Sequence, residues 1–157
     1  MTNSISLAGK RVLITGGARG LGRSFARAVV DAGAKVAVAD ILVEEGQSTS
    51  HSIGANFFEL DLTQPESIKI CMEQVAAKLG GLDGLINNGA IATAVGGLNM
   101  TEIEIDQWDK VMAVNVRGTW LMSRAAVPHL AKSGNGKILN LASDTALWGA
   151  PKLMHYV

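Results

Sequence analysis

A glycine-rich turn is the first stretch of the chain whose residue types could perform chemistry. Residues 15–22 read Thr-Gly-Gly-Ala-Arg-Gly-Leu-Gly, which places glycines at Gly16, Gly20 and Gly22. Glycines without a Cβ let a diphosphate approach the backbone, and the N–H groups at a helix N-terminus bind such an anion. The turn therefore predicts a dinucleotide site if a strand precedes it and a helix follows it. A glycine-rich turn that holds no ligand is the structural alternative.

An acidic residue, Asp40, follows Gly22 after 18 residues, close to the interval of about 20 at which dinucleotide sites carry their ribose-binding acid. A carboxylate there accepts hydrogen bonds from both ribose hydroxyls and repels a 2′-phosphate. Arg19, inside the turn, could instead pair with that phosphate. The repulsion acts directly on the 2′ position, so NAD is favoured as the cofactor over NADP. For Asp40 the structural alternative is a helix-capping acid.

These residues need strands and helices to position them, and the chain alternates short apolar runs with stretches of helical periodicity. Such alternation predicts parallel strands joined by crossover helices. The predicted strands are Arg11–Thr15, Lys35–Ala39, Asn56–Leu60, Gly84–Asn87 and Lys137–Leu141. The predicted helices lie between Leu21 and Ala32, within Val43–Ser52, after Pro65, and from about Glu104 to Lys132. We predict a doubly wound, Rossmann-type α/β fold with helices on both faces of a parallel sheet of order 3-2-1-4-5.

Length and composition restrict the class of protein. The chain has 157 residues, room for a single domain, and its 48% apolar and 18% charged residues exclude intrinsic disorder. Fourteen Lys and Arg balance fourteen Asp and Glu, so neither nucleic acid nor a membrane is a predicted partner. The sequence carries no recognisable signal peptide or membrane span, and a cytoplasmic location is expected.

No metal site is predicted from the sequence. His51, His129 and His155 lack the spacing of metal ligands, and Cys71 is the single cysteine. We expect Cys71 to be a small buried side chain with a reduced thiol.

Residues 15–22 match the motif Thr-Gly-x-x-x-Gly-x-Gly at every fixed position, and in this the chain resembles the short-chain dehydrogenase/reductase family. Asp61-Leu62 is similar to the family's pair that holds the adenine ring, although an isolated Asp there could simply cap a helix. Asn87-Asn88-Gly89-Ala90 is similar to the family's Asn-Asn-Ala-Gly with the last two residues exchanged. The resemblance covers the whole chain. It implies that the cofactor is bound by Gly16, Arg19, Gly20, Leu21, Gly22, Asp40, Asp61, Leu62, Asn88, Gly89 and Ala90.

The resemblance also implies three catalytic residues. Asn115 lies in an otherwise apolar helical stretch, where a polar side chain needs a partner, and its family counterpart kinks the helix and holds a water of the proton relay. Ser143 matches the serine that hydrogen-bonds the substrate oxygen, and Tyr156 follows it at the family's usual interval of 13 residues. Taken singly, Ser143 could cap a turn and Tyr156 could be a half-buried aromatic residue.

The implied reaction is hydride transfer between NAD and a secondary alcohol or ketone, the small-molecule substrate. Tyr156 would take the proton of the substrate hydroxyl. The family commonly pairs its long helices between subunits, so a homo-oligomer, a dimer or a tetramer, is expected by the same resemblance.

The family's tyrosine motif is Tyr-x-x-x-Lys, and the sequence ends at Val157, one residue after Tyr156. A lysine one helical turn beyond the tyrosine would favour the reactive phenolate through its charge. We therefore expect these residues to be one dinucleotide-binding domain without its C-terminal strands and substrate loop, inactive as a piece. Two alternatives remain: a dinucleotide-binding module without catalysis, and a methyltransferase, which has no need of Asn115, Ser143 and Tyr156.

Overall fold

The computed structural model describes residues 6–92 and 95–157, and in these ranges five strands form one parallel sheet. The strands are β1 (Arg11–Thr15), β2 (Lys35–Asp40), β3 (Asn56–Glu59), β4 (Gly84–Asn87) and β5 (Lys137–Asn140). Their order is β3-β2-β1-β4-β5, and every neighbouring pair is parallel. The predicted α/β fold and strand order are confirmed.

The helices follow the predicted segments with small shifts at their ends. They are α1 (Gly20–Asp31), α2 (Val43–Ile53), α3 (Pro65–Leu79), α4 (Ile105–Val111), α5 (Thr119–Lys132) and α6 (Thr145–Trp148). A turn of 3-10 helix, Met100–Glu102, precedes α4. A π-helical segment, Met112–Gly118, joins α4 to α5, so the long helix predicted from Glu104 to Lys132 has a wider middle. The sequence analysis did not predict α6, because four residues are too few to show a helical period.

The sheet divides the apolar core into two layers. Because successive side chains of a strand point to opposite faces, Leu13 belongs to one layer while Val12 and Ile14 belong to the other. Side chains from α3 and α5 complete the layer of Leu13, and side chains from α1 and α2 complete the opposite layer. The central strands are thus covered on both faces, which explains their continuous apolar sequences.

Cys71 lies in the layer that α3 contributes and is fully buried. This burial raises the pKa of the thiol to about 12, because the thiolate would lose its hydration. The thiol is therefore neutral at physiological pH and packs as a small apolar group.

An ion pair closes the edge of the sheet at which the strands begin. Arg11 Nε donates to Asp83 Oδ2 at 2.6 Å, Arg11 Nη2 donates to Asp83 Oδ1 at 3.2 Å, and the Arg11 backbone N–H donates to Asp83 Oδ2 at 2.9 Å. The hydrogen bond from the guanidinium holds the pKa of the Asp83 carboxyl below its ordinary value. These contacts fasten the start of β1 to the turn before β4, away from the opposite edge where the site lies.

Several large apolar side chains remain on the surface. Ile138 and Leu139 of β5, at the end of the sheet, are 39% and 51% exposed. A second exposed set runs along the helices from α4 to α5 and consists of Ile105, Trp108, Val116, Trp120 and Val127. Trp120 carries the guanidinium of Arg124 at 4.8 Å from its ring centroid. Within the described ranges, no helix has the length and apolar character needed to cross a membrane.

Candidate active site

A cleft of about 900 Å³ opens at the edge of the sheet where the strands end. It lies beside the point where the chain leaves β1 in one direction and β4 in the other, the position at which doubly wound sheets bind ligands. Of the residues predicted to bind a cofactor, it is lined by Gly16, Arg19, Asp40, Asp61, Leu62, Asn88, Gly89 and Ala90. Gly20, Leu21 and Gly22 form the first turn of α1 and do not line it.

The cleft also has a wall that the sequence analysis missed. Gln107 and Lys110 of α4, with Val111 and Val114, form part of the lining. These residues belong to an ordinary-looking amphipathic stretch, and only the packing of α4 across the open ends of the strands brings them to the cleft. No short-range pattern in the sequence carries that information.

The glycine turn packs backbone against backbone. A Cβ on Gly22 would lie 2.0 Å from the carbonyl oxygen of Gly16, and a Cβ on Gly16 would lie 2.6 Å from Gly89 Cα. Gly16 also has a φ of +65°, in the left-handed region that favours glycine. The helix that follows, α1, has no side-chain cap and no acidic residue in its first turn. No side chain therefore caps the backbone N–H groups at its N-terminus, which remain available to an anion. This cradle fits the diphosphate of a dinucleotide.

Thr15 and Asn88 fasten the glycine turn to the loop after β4. Thr15 Oγ1 accepts hydrogen bonds from the backbone N–H groups of Asn88 at 3.1 Å and Gly89 at 3.0 Å. In return, Asn88 Nδ2 donates to the carbonyl oxygens of Thr15 at 3.1 Å and Gly16 at 2.9 Å. Four hydrogen bonds therefore join the two loops that line the cleft.

The carboxylate of Asp40 is almost completely buried at the end of β2. Its Oδ2 accepts a hydrogen bond from the Ala18 N–H at 2.9 Å, and its Oδ1 accepts one from the Leu42 N–H at 3.0 Å. These bonds fix the carboxylate against the glycine turn. A carboxylate has about four acceptor positions, so two remain after these contacts. Arg19 is exposed and lines the same cleft, so the acid of the NAD interpretation and the base of the NADP interpretation both face this cleft.

Asp61 does not cap α3, whose N-cap residue is Gln64, but its side chain forms hydrogen bonds in the turn before that helix. Its Oδ1 accepts hydrogen bonds from the Thr63 N–H at 2.8 Å and from Thr63 Oγ1 at 2.7 Å, in the turn before α3. The residue nevertheless lines the cleft together with Leu62, so the turn that it stabilises is also a wall of the site.

Asn115 lies in the π-helical segment, and its side chain reaches the loop after β4. Asn115 Oδ1 accepts a hydrogen bond from the Ile91 N–H at 2.8 Å, and Asn115 Nδ2 donates to the Ile91 carbonyl at 3.0 Å. This is the partner that a polar side chain in an apolar helix requires. Widened helical turns of this type often occur at functional sites.

Ser143 lies beyond the end of β5, at the same edge of the sheet as the glycine turn. Tyr156 is half-buried, and its backbone N–H donates to the Leu153 carbonyl at 2.9 Å. Neither residue lines the cleft, and no hydrogen bond in the described ranges joins Asn115, Ser143 and Tyr156 to one another.

The segment that carries Tyr156 contacts the wall of the cleft through its neighbour. His155 is 1% exposed, and its Nε2 lies 3.3 Å from Gln107 Nε2. The backbone N–H of Gly97 donates to the Lys152 carbonyl at 3.2 Å, which adds a second attachment. The end of the described chain is therefore held beside α4 and not away from the site.

Comparisons with known proteins point to one family. A family model described as short chain dehydrogenase matches residues 10–157. The 2,5-dichloro-2,5-cyclohexadiene-1,4-diol dehydrogenase of Sphingobium indicum is 38% identical over 154 residues, which cover 96% of this chain and 61% of that protein. The 3-alpha-(or 20-beta)-hydroxysteroid dehydrogenase of Mycobacterium tuberculosis is 38% identical over 148 residues, 91% of this chain and 55% of that protein.

A sorbitol dehydrogenase of Cereibacter sphaeroides is also similar, at 40% identity over 146 residues that cover 91% of this chain and 56% of that protein. The chain thus spans between 55% and 61% of the length of these three relatives.

Proposed function

Because the chain belongs to the short chain dehydrogenase family, we propose that it forms the cofactor-binding domain of an NAD-dependent oxidoreductase acting on a secondary alcohol or ketone. The observation that carries the proposal is the cleft at the switch point of the sheet. The cleft is lined by the glycine turn, by the buried carboxylate of Asp40 and by the loop after β4. A dinucleotide-binding site needs such parts to hold the diphosphate and the ribose.

Each part of the cleft has a role in holding the cofactor. The N-terminal N–H groups of α1 would bind the diphosphate next to Gly16, and Asp40 would accept hydrogen bonds from the ribose hydroxyls. Leu62 and Asp61 would flank the adenine ring. A bound nicotinamide dinucleotide supplies the hydride acceptor for oxidation of an alcohol, or the hydride donor for reduction of a ketone.

The preference for NAD follows from the fixed orientation of Asp40. The bonds from Ala18 and Leu42 prevent the carboxylate from turning away, so a 2′-phosphate in this position would meet a fixed negative charge. Titration with NADH, NADPH and S-adenosylmethionine, followed by calorimetry, tests the assignment. We expect NADH to bind most tightly; preferential binding of S-adenosylmethionine would establish the methyltransferase alternative instead.

The proton and the substrate oxygen are assigned to three residues of this chain. Tyr156 would take the proton of the substrate hydroxyl during oxidation and return it during reduction. Ser143 would hydrogen-bond the substrate oxygen. Asn115, fixed to the Ile91 backbone, would position a water that passes the proton toward solvent.

The substrate class is proposed from the names of the relatives. A diol, a hydroxysteroid and a sugar alcohol appear in those names, and each carries hydroxyl groups. We accordingly assign a small molecule with a secondary alcohol or the corresponding ketone, in a cytoplasmic enzyme.

A second candidate is a dinucleotide-binding module without catalysis. The observation that favours it is that neither Ser143 nor Tyr156 lines the cleft. A module of this kind would bind NADH but would not oxidise an alcohol when NAD is supplied. The proposed oxidoreductase would do both, so an NAD-dependent turnover assay beside the NADH titration separates the two.

A further inference from the structure

The side chain of Ser143 is held by a residue to which neither the resemblance nor the proposed function gives a role. Thr145 Oγ1 lies 2.9 Å from Ser143 Oγ, and the Thr145 backbone N–H donates to the same oxygen at 3.3 Å. Both residues are half-buried. A hydroxyl group accepts at most two hydrogen bonds and donates one. Two contacts from Thr145 can therefore fill both acceptor positions of Ser143 Oγ and leave its proton for another partner.

The direction of the bond between the two hydroxyl groups depends on what else Ser143 contacts. If Ser143 donated to Thr145, it would have no proton for a substrate. An alkoxide or carbonyl oxygen beside Ser143 accepts a hydrogen bond from the serine hydroxyl, and Thr145 Oγ1 must then donate to Ser143 Oγ. The pair thus has one arrangement that is compatible with a substrate oxygen.

Little else fixes the Ser143 side chain. Among the residues that the structure describes, Thr145 provides the hydrogen bonds that reach Ser143 Oγ. The helix α6, which begins at Thr145, has no side-chain cap from Asp144. Without the threonine hydroxyl, Ser143 would keep only the longer bond from the backbone and could sample other staggered rotamers.

We infer that Thr145 is a positioning residue that presets the Ser143 hydroxyl as a hydrogen-bond donor toward the substrate oxygen. This inference rests on the proposed function, which assigns Ser143 to that oxygen. A hydrogen-bond donor stabilises the transition state more than the bound substrate when negative charge develops on the oxygen that it contacts. Misorientation of the Ser143 hydroxyl should therefore lower kcat more than it raises KM.

The test uses the complete product of the gene with the substitutions Thr145→Val and Thr145→Ser. Valine keeps the branched shape and removes the hydroxyl, whereas serine keeps the hydroxyl. We expect Thr145→Val to lower kcat about 3- to 10-fold, the factor for one neutral hydrogen bond, with KM and the NADH dissociation constant within about twofold. Thr145→Ser should retain the wild-type kcat.

Two further measurements separate positioning from a general structural effect. In a Ser143→Ala background, Thr145→Val should have no additional effect on kcat, because it acts through Ser143; an equal loss in both backgrounds would overturn the inference. Crystal structures need no substrate: Ser143 should occupy one rotamer in the wild type and in Thr145→Ser, and several in Thr145→Val. A single unchanged rotamer in Thr145→Val would also overturn it.

The assay substrates are cyclohexanol, sorbitol and a 3α-hydroxysteroid, each with NAD. If Ser143→Ala leaves turnover intact, the proposed role of Ser143 is wrong. If Ser143→Ala lowers kcat strongly but measurably while Thr145→Val behaves as the wild type, the proposed function stands and the inference about Thr145 fails.

Discussion

Thr15 and Asn88 exchange hydrogen bonds across two loops, the threonine hydroxyl accepting from the backbone after β4 and the asparagine amide donating to the backbone after β1. Thr15 is 1% exposed, and the two residues whose N–H groups it accepts are half-buried at the cleft. The Thr15 hydroxyl therefore accounts for two of the four hydrogen bonds that join these loops.

Replacing Thr15 with valine should reduce both stability and cofactor binding. Two backbone N–H groups would lose their acceptor, which costs about 1–3 kcal/mol of unfolding free energy. Urea unfolding and NADH titration measure the two effects. Thr15→Ser retains the hydroxyl and is the matched control; equal losses in both variants would show that the methyl group matters instead.

The substitution Gly22→Ala should abolish tight binding of NADH while most of the fold remains. The new Cβ would be 2.0 Å from the Gly16 carbonyl oxygen, so the turn must open. Overpacking of this kind costs about 1–3 kcal/mol, and we expect the NADH dissociation constant to rise at least about tenfold. Arg23→Ala, at an exposed position of the same helix, should bind as the wild type does. Unchanged binding by Gly22→Ala would contradict a diphosphate site at this turn.

Asp40→Asn should shift the cofactor preference toward NADPH. The amide oxygen keeps one acceptor for the backbone, and the charge that repels a 2′-phosphate is removed. We expect the ratio of NADPH to NADH affinity to rise about tenfold or more. The double variant Asp40→Asn/Arg19→Gln should lose that gain, and calorimetric titration of both dinucleotides provides the measurement.

The Arg11–Asp83 pair should make folding sensitive to acid. The folded-state pKa of Asp83 lies below its value in the unfolded chain, so the stabilisation is present above the unfolded pKa and is lost as pH falls through the folded pKa. Asp83→Asn should lower the free energy of unfolding by about 2 kcal/mol at pH 7 and flatten its dependence on pH below about 5.

The control for this prediction is Glu66→Gln. The Lys69–Glu66 contact is 3.8 Å long, with side chains 64% and 72% exposed, so its loss should not be measurable. Parallel pH profiles for Asp83→Asn and the wild type would exclude the assigned cause.

The exposed apolar side chains from α4 to α5 should mediate self-association. Val116 and Trp120 are 60% and 57% exposed, and grouped exposed apolar side chains of this kind mark interaction surfaces on soluble proteins. We expect light scattering to give a dimer or tetramer, and Val116→Glu to reduce the mass. Arg27→Glu on α1 changes charge at a distant exposed position and should leave the mass unchanged. A monomeric wild type would refute the prediction.

The sequence predicted the features that depend on short-range patterns. β1 begins and ends at the predicted residues, and β3 and β5 end one residue earlier than predicted, at Glu59 and Asn140. The glycine turn was recognisable because its spacing reflects local steric limits, such as the contact between Gly22 and Gly16.

Features created by packing were not predictable in the same way. Gln107 reaches the cleft only because α4 crosses the open ends of the strands, and His155 contacts Gln107 across an interval of 48 residues. Asn115 in the widened helix forms a tertiary hydrogen bond with Ile91, which no propensity scale contains. The predicted roles of Ser143 and Tyr156 remain predictions, because they concern a substrate.

The π-helical segment from Met112 to Gly118 should allow the protein to tolerate the deletion of one residue there. In a regular α-helix, deleting one amino acid rotates everything downstream by about 100° and destroys its packing. In the π-helical segment the backbone hydrogen bonds join residues five apart. Deletion of Ala113 would therefore let α4 and α5 continue as one regular α-helix with hydrogen bonds between residues four apart. We expect such a deletion variant to fold, but Asn115 could no longer form its hydrogen bonds with Ile91. The variant would therefore keep the fold and lose the geometry of the candidate site.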